Sequence, residues 1–128
     1  MTLDTGALVA LERERKRIRE VVFTAYAAGD LIIVPAPVVL EWWRGRTDWR
    51  EVILGMVTVE PLDVKMAKVA GEALASLHRR GSRVDAKLSI DAAVMASAAR
   101  SGSVVYTQDY DDLVRFTTFF PDVKILTV

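Results

Sequence analysis

Four acidic residues of this chain each stand as the only charge in a largely apolar run. Asp4 lies in T-L-D-T-G-A-L-V-A-L, Glu41 in P-A-P-V-V-L-E-W-W, and Asp91 in L-S-I-D-A-A-V-M-A-S-A-A; Asp109 ends V-V-Y-T-Q-D. A carboxylate in apolar surroundings is costly unless it is neutralised, paired or bound to a metal. Carboxylate oxygens are hard ligands that suit Mg²⁺ or Mn²⁺. Four such sites spread along the chain therefore point to one shared pocket that holds a divalent cation. Taken singly, each acid has an ordinary alternative. Asp4 could cap a helix starting at Thr5 or Gly6, and Glu41 could be an exposed helix residue. Asp91 could complement a helix dipole, and Asp109 could make an Asx-turn.

The elements that must position these acids alternate along the chain. Met1–Asp4 reads as a short strand, followed by one charged helix from about Ala10 to Ala28 that Gly29-Asp30 stops. Leu31–Val34 is a continuous apolar strand of the kind buried on both faces. Helices are expected over Ala36–Arg44 and Asp48–Met56, then an extended stretch over Val57–Leu62 that Pro61 ends. Asp63 can cap a helix whose apolar positions are Val64, Ala67, Ala70, Leu74 and Leu77 and which Gly81 ends. Ser89 is expected to cap an alanine-rich helix with Asp91 in its first turn and Ser101-Gly102 at its close. Val104–Tyr106 reads as a strand, Asp111–Phe116 as a short helix and Val123–Val128 as a last strand. This alternation implies α/β architecture: a central, mostly parallel sheet covered on both faces. In such sheets ligands gather beyond the C-terminal strand ends, where Asp4 and Asp109 fall.

Composition bounds the rest. The 128 residues are 52% hydrophobic and 27% charged, which fits one compact domain over residues 1–128 with a real core. The absence of cysteine excludes disulfides and thiolate zinc sites and suits a reducing compartment. No signal peptide is read at the N-terminus, and the longest apolar stretch, Leu31–Leu40, is short and broken by Pro35 and Pro37. The expectation is a cytoplasmic chain without membrane contact. Seventeen basic residues balance seventeen acidic ones, but the bases cluster at Arg13–Arg19, Arg44–Arg50 and Arg79–Arg83. Local basic patches can steer a phosphate backbone without a basic chain. Glu12, Glu14 and Glu20 make the first cluster read as a solvated helix face. His78 is the only histidine, so a Ser–His–Asp triad has little support, and no phosphate-cradling glycine loop is present.

The acids and their neighbours, in order, resemble the PIN-domain family, in particular the VapC-type ribonuclease toxins of toxin–antitoxin modules. Leu3-Asp4-Thr5 with Gly6-Ala7-Leu8 is similar to the family's opening motif, and Val39-Leu40-Glu41 to its second-helix glutamate. Ile90-Asp91 followed by Ala92–Ala98 is similar to its aspartate-led helix of small residues. Thr107-Gln108-Asp109 with Asp112-Leu113 is similar to its strand-end threonine and acid followed by an acid–apolar pair. The similarity spans nearly the whole chain and implies a PIN-like three-layer α/β/α fold. It further implies an endoribonuclease that leaves 5′-phosphates, with metal ligands drawn from Asp4, Asp91, Asp109 and Glu41. Asp4 and Asp91 would make the most direct contacts. Thr107 and Asp112 would support these ligands. The implied partners are an RNA substrate, a cognate antitoxin and a second copy in a homodimer, with operator DNA reached only through the antitoxin.

Trp42, Trp43 and Trp49, interleaved with Arg44, Arg46 and Arg50, suit either core or dimer packing or a partner surface. As a surface, an antitoxin-binding groove is favoured over RNA. Two other function classes fit parts of the pattern. A phospho-accepting receiver-like domain shares the length and alternation, but it calls for an acidic pair after the first strand and a late lysine, and Thr5-Gly6 and Tyr106-Thr107-Gln108 supply neither. A non-catalytic PIN-like binding module has no use for intact acids.

Overall fold

Five strands alternate with seven helices in the computed structural model, which describes residues 1–101 and 104–128. The strands are β1 (Thr2–Leu3), β2 (Ile33–Pro35), β3 (Thr58–Glu60), β4 (Val104–Thr107) and β5 (Lys124–Thr127). The helices are α1 (Thr5–Glu12), α2 (Lys16–Ala27), α3 (Ala36–Trp42), α4 (Asp48–Met56), α5 (Val64–Arg79), α6 (Ala86–Ser101) and α7 (Tyr110–Val114). Every strand pair is parallel and the sheet order is β3-β2-β1-β4-β5. From β1 the chain steps outward to β2 and β3, then crosses back to place β4 on the other side of β1. Right-handed crossovers then put the early and late helices on opposite faces. Most of the packing agrees: α1 contacts α2, α3 and α4 and α6 contacts α5 and α7, with α3 also reaching α6. The result is an α/β/α sandwich whose sheet is wholly parallel, as the alternation of elements implied.

Three helices end in the same Schellman arrangement, and the residue in the left-handed position decides how visible each end is in sequence. At α2, Asp30 N–H reaches Ala25 O and Gly29, with φ 76°, takes the turn. At α5, Ser82 N–H reaches Leu77 O and Gly81, with φ 94°, does the same. At α1, Arg15 N–H reaches Ala10 O and Glu14 N–H reaches Leu11 O, but the left-handed residue is Glu14, with φ 55°. A glutamate gives no stop signal. The single helix expected over 10–28 is therefore two, and the first begins at Thr5, directly behind Asp4.

The alanine-rich helix also differs from expectation. It starts at Ala86 rather than near Ser89, because Asp85 accepts the Leu88 N–H at 2.8 Å. The Ser89 hydroxyl instead donates back to Asp85 O at 3.0 Å. Asp91 accordingly sits in the second turn, not the first. Gly102, expected to close this helix, lies outside the described residues. Residues 91–98 of α6 are all buried, so this middle stretch of the helix is core on every side. Against it packs α5, capped by Asp63 as expected, with Met66, Ala70, Ala73 and Leu77 facing inward. The inner stripe is thus offset from the expected one, and Val64 is 72% exposed. Glu60 and Asp63 tie this layer down, accepting from Ser97 at 2.7 Å and from Arg100 at 2.7 Å.

The left-handed Glu14 carries a steric cost of about 1 kcal/mol that glycine escapes. Its exposed contact with Arg19 at 3.6 Å offsets little of this. Glu14→Gly should raise the unfolding free energy by about 0.5–1 kcal/mol, and Glu14→Val should lower it. Urea unfolding of the three proteins checks both signs.

Candidate active site at the sheet's carboxyl edge

The strand order reverses between β1 and β4, and a parallel sheet opens a crevice at such a point beyond its strand ends. Asp4 leaves β1 and Asp109 follows β4, so the two flank this crevice. Helix α6 runs back toward the start of β4, which brings its N-terminal half, with Asp91, to the same edge. Glu41 arrives on α3, which begins immediately after β2.

Asp4 is 5% exposed and caps α1, its Oδ1 accepting the Ala7 N–H at 2.8 Å. Thr107, wholly buried at the end of β4, hydrogen-bonds the Asp4 carboxylate through its hydroxyl. The same Thr107 oxygen accepts the Asp109 N–H at 2.8 Å. One threonine therefore fixes acids from two strand ends against each other. Gly6 completes this junction. A Cβ built on it would stand 3.1 Å from Gln108 Cβ, 3.2 Å from Gln108 N and 3.4 Å from Asp4 Oδ1. A larger residue there would oblige Gln108 to give way by a few tenths of an ångström for the first turn of α1 to lie against the β4–α7 turn.

Asp91 is 8% exposed, and its Oδ2 is buried with no hydrogen-bond partner among the described residues. Burial is the main force raising both buried acids above the ordinary 3.8. Asp4 rises to about 6 despite its hydrogen bonds from Thr107 and Ala7, with the charges of Asp109 and Glu41 adding to the rise. Asp91 rises to about 7; Lys87 opposes the rise, while Asp112, Asp4 and Glu41 reinforce it. Each buried acid thus feels Glu41, which is half-buried on α3. Asp109 and Asp112 form the outer, more exposed side, where Lys87 Nζ contacts Asp112 Oδ2 at 2.5 Å and Asp109 Oδ2 at 3.7 Å.

Lys87 was not singled out in the sequence. It stands four residues before Asp91, so the two share one face of α6. A lysine one helical turn from a lone acid was the available signal. Among the described residues, no three acids lie close enough together to enclose an ion by themselves. Magnesium usually takes only one or two carboxylates and keeps several waters. An all-oxygen donor set with an orphaned buried Oδ2 on Asp91 fits that requirement.

The tryptophans separate by role. Trp42 is 3% exposed, its Nε1 donating to Glu12 Oε2 at 2.9 Å while Glu12 Oε1 meets Arg50 at 2.7 Å. Trp43 packs edge-on to Trp42 with centroids 6.0 Å apart. Trp49 stacks on Phe23 at 6.4 Å, and the Arg19 guanidinium lies 5.6 Å from the Phe23 ring centre.

The raised acids make stability fall with pH. Below about 3.8 both the folded and unfolded chains hold these protons. As pH rises the unfolded chain ionises first, and stability drops until the folded acids ionise at about 6 and about 7. Above that the loss is constant. Asp91→Asn should flatten the upper part of this fall. It should leave the variant more stable than the parent near pH 8, in EDTA, by about 1–3 kcal/mol. Urea unfolding across pH 4–8 checks it. Gly6→Ala should destabilise by about 1–2 kcal/mol by forcing the Gln108 backbone away, again measured by urea unfolding.

Comparisons with known proteins bear on the family and the fold. The PIN domain sequence profile matches residues 1–117. Among solved structures, the chain superposes on DNA-bound VapBC from Salmonella typhimurium with a TM-score of 0.75 at 20% identity, covering 98% of this chain and 96% of that one. VapBC2 from Rickettsia felis, bound to a promoter DNA fragment, gives 0.76 at 13% identity, covering 99% and 97%. VapBC-1 from nontypeable Haemophilus influenzae gives 0.69 at 15% identity, covering 98% and 96%. No protein of curated function matches the sequence. At these identities the structures speak for the fold, and the profile, covering most of the chain, speaks for descent. The chain belongs to the PIN-domain family.

Proposed function

We propose that this protein is a metal-dependent endoribonuclease, the toxin of a VapC-type toxin–antitoxin pair. The observation that carries the reading is the pair of buried acids, Asp4 and Asp91, held at the crevice of a PIN fold with one Asp91 oxygen left without a partner among the described residues. A buried carboxylate oxygen that is not satisfied costs a fold a few kcal/mol, and a bound cation would satisfy it. Asp4 and Asp91 would hold Mg²⁺, or Mn²⁺, most directly, with Asp109 and Glu41 completing the site through water or directly. When bound, the ion supplies a nucleophilic water for in-line attack on a phosphodiester and neutralises charge on the phosphate.

The protein's own groups do the rest. Thr107 fixes the orientation of Asp4, and a support of this kind is commonly worth tenfold or more in metal affinity. Gly6 keeps the β4–α7 turn close, so Asp109 faces the crevice edge. Lys87 balances the outer acids, Asp109 and Asp112, and would limit their repulsion of an incoming polyanion.

The partners follow from the same reading. The similar structures are VapBC complexes, some with DNA bound. By that analogy this chain would be held inactive by a small antitoxin, act as a homodimer, and reach operator DNA only through the antitoxin. Trp43 and Trp49, partly buried against the core, and Phe23 would meet the antitoxin, whereas Trp42 is taken up in the core. Among the described residues no helix is long and apolar enough to cross a membrane.

Asp4→Asn and Asp91→Asn should each lower RNA cleavage by about 100-fold or more, and EDTA should abolish it with recovery on Mg²⁺ or Mn²⁺. Cleavage of a labelled RNA at parental rates by either variant, or in EDTA, overturns the nuclease reading. Trp49→Ala should weaken binding to the cognate antitoxin by about tenfold or more. Titration calorimetry reads this, and unchanged affinity removes Trp49 from the interface.

A further inference from the structure

A groove of about 600 Å³ leaves the acid crevice along α1 and ends among arginines that the proposed chemistry does not use. Thr5, Val9 and Arg13 line it at four-residue spacing, forming one stripe along α1 and the residue that caps its end, and Glu41 also lines it. From Thr5, next to Asp4, to Arg13 the helix rises about 12 Å. Arg13 and Arg44 are exposed, and neither has an ion-pair partner among the described residues. Glu12, which also lines the groove, is already committed. It gives one oxygen to Arg50 and the other to the Trp42 indole. Arg46, by contrast, is held by Asp48 at 3.1 Å and Glu51 at 3.8 Å. The groove therefore carries two uncompensated cations beyond its acid end.

We propose that Arg13 and Arg44 bind backbone phosphates of the single-stranded RNA that runs from the acid crevice along α1. The proposal rests on the nuclease reading and adds the path of the substrate. A phosphodiester chain held at the crevice must leave it in two directions. Toward the β4–α7 turn the surface hollow is lined by Asp109, Asp111 and Asp112, which repel a polyanion even with Lys87 beside them. Toward α1 the lining turns basic. Charge complementarity and continuity with the crevice select this side for the flanking segment. The contacts are to phosphates, so they confer affinity and register rather than sequence preference.

The test measures binding apart from cleavage. In an Asp91→Asn background, a fluorescent single-stranded RNA of mixed sequence is titrated by anisotropy at several salt concentrations. Arg13→Glu and Arg44→Glu should each weaken binding several-fold and make the log–log salt slope shallower by about one, and the double variant by about two. Arg17→Glu, an exposed reversal on α2, should change the slope less than either. Unchanged RNA affinity and slope in the double variant overturn the proposal. So does loss of binding to a polyglutamate peptide with RNA binding intact, which would give the groove to an acidic protein segment. Cleavage by the otherwise unaltered protein is assayed alongside. If that protein cleaves RNA and the reversals change nothing, the groove falls and the nuclease reading stands. If it does not cleave and the reversals still weaken RNA binding, the groove stands and the nuclease reading falls.

Discussion

Burying two carboxylates at one end of a parallel sheet is the constraint around which this molecule is arranged. Asp4 and Asp91 are almost wholly enclosed, and burial raises both well above the ordinary carboxylate range. A fold can lower such a cost with hydrogen bonds, opposite charge or a proton. Asp4 has the first, from Thr107 and the Ala7 amide. Asp91 has only partial help, from Lys87 one turn earlier, and keeps an oxygen with no partner among the described residues. The local architecture serves this pair: α1 starts directly at Asp4, Gly6 admits the β4–α7 turn, and Thr107 binds the two strand ends into one unit.

Charge is distributed unevenly around that pair, and the unevenness gives the crevice a direction. On one side Asp109, Asp111 and Asp112 gather around a single lysine. On the other, Glu12 is locked between Arg50 and Trp42, which leaves Arg13 and Arg44 unbalanced. Neither feature is visible in a net charge of zero. A neutral chain can still offer a polyanion one attractive approach, because field depends on placement rather than on the sum.

Much of the frame was legible from local chemistry. Apolar runs such as 31–34 and 104–106 marked buried strands, Gly29 and Gly81 marked helix ends, and Asp63 marked a cap, each by a mechanism that acts within a few residues. The departures share a cause. Glu14 adopts a left-handed conformation that its type does not advertise, so the break between α1 and α2 was hidden. Asp85 out-competed Ser89 as the cap of α6 and moved Asp91 inward by a turn. Convergence of the acids was only partly legible: the strand-end positions of Asp4 and Asp109 follow from alternation, but the nearness of Glu41 and Asp91 depends on where β4 inserts in the sheet. Lys87 and the Glu12–Arg50–Trp42 network depend on side-chain packing between distant segments, which periodicity does not encode. Trp42, one of an aromatic–arginine cluster in sequence, is a core residue because its indole finds Glu12 across the α1–α3 contact.

The central claim is that the buried acids exchange protons for a cation. Ligation requires carboxylates, so metal binding to acids with raised proton affinity must release protons. Calorimetric titration of Mg²⁺ into the protein near pH 6.5, in buffers of different ionisation enthalpy, measures that release directly. The account predicts about one proton displaced per ion at this pH, falling toward zero near pH 9 as both acids ionise beforehand. Binding with no proton release at the lower pH, or no detectable binding of Mg²⁺ or Mn²⁺ at either pH, would contradict it.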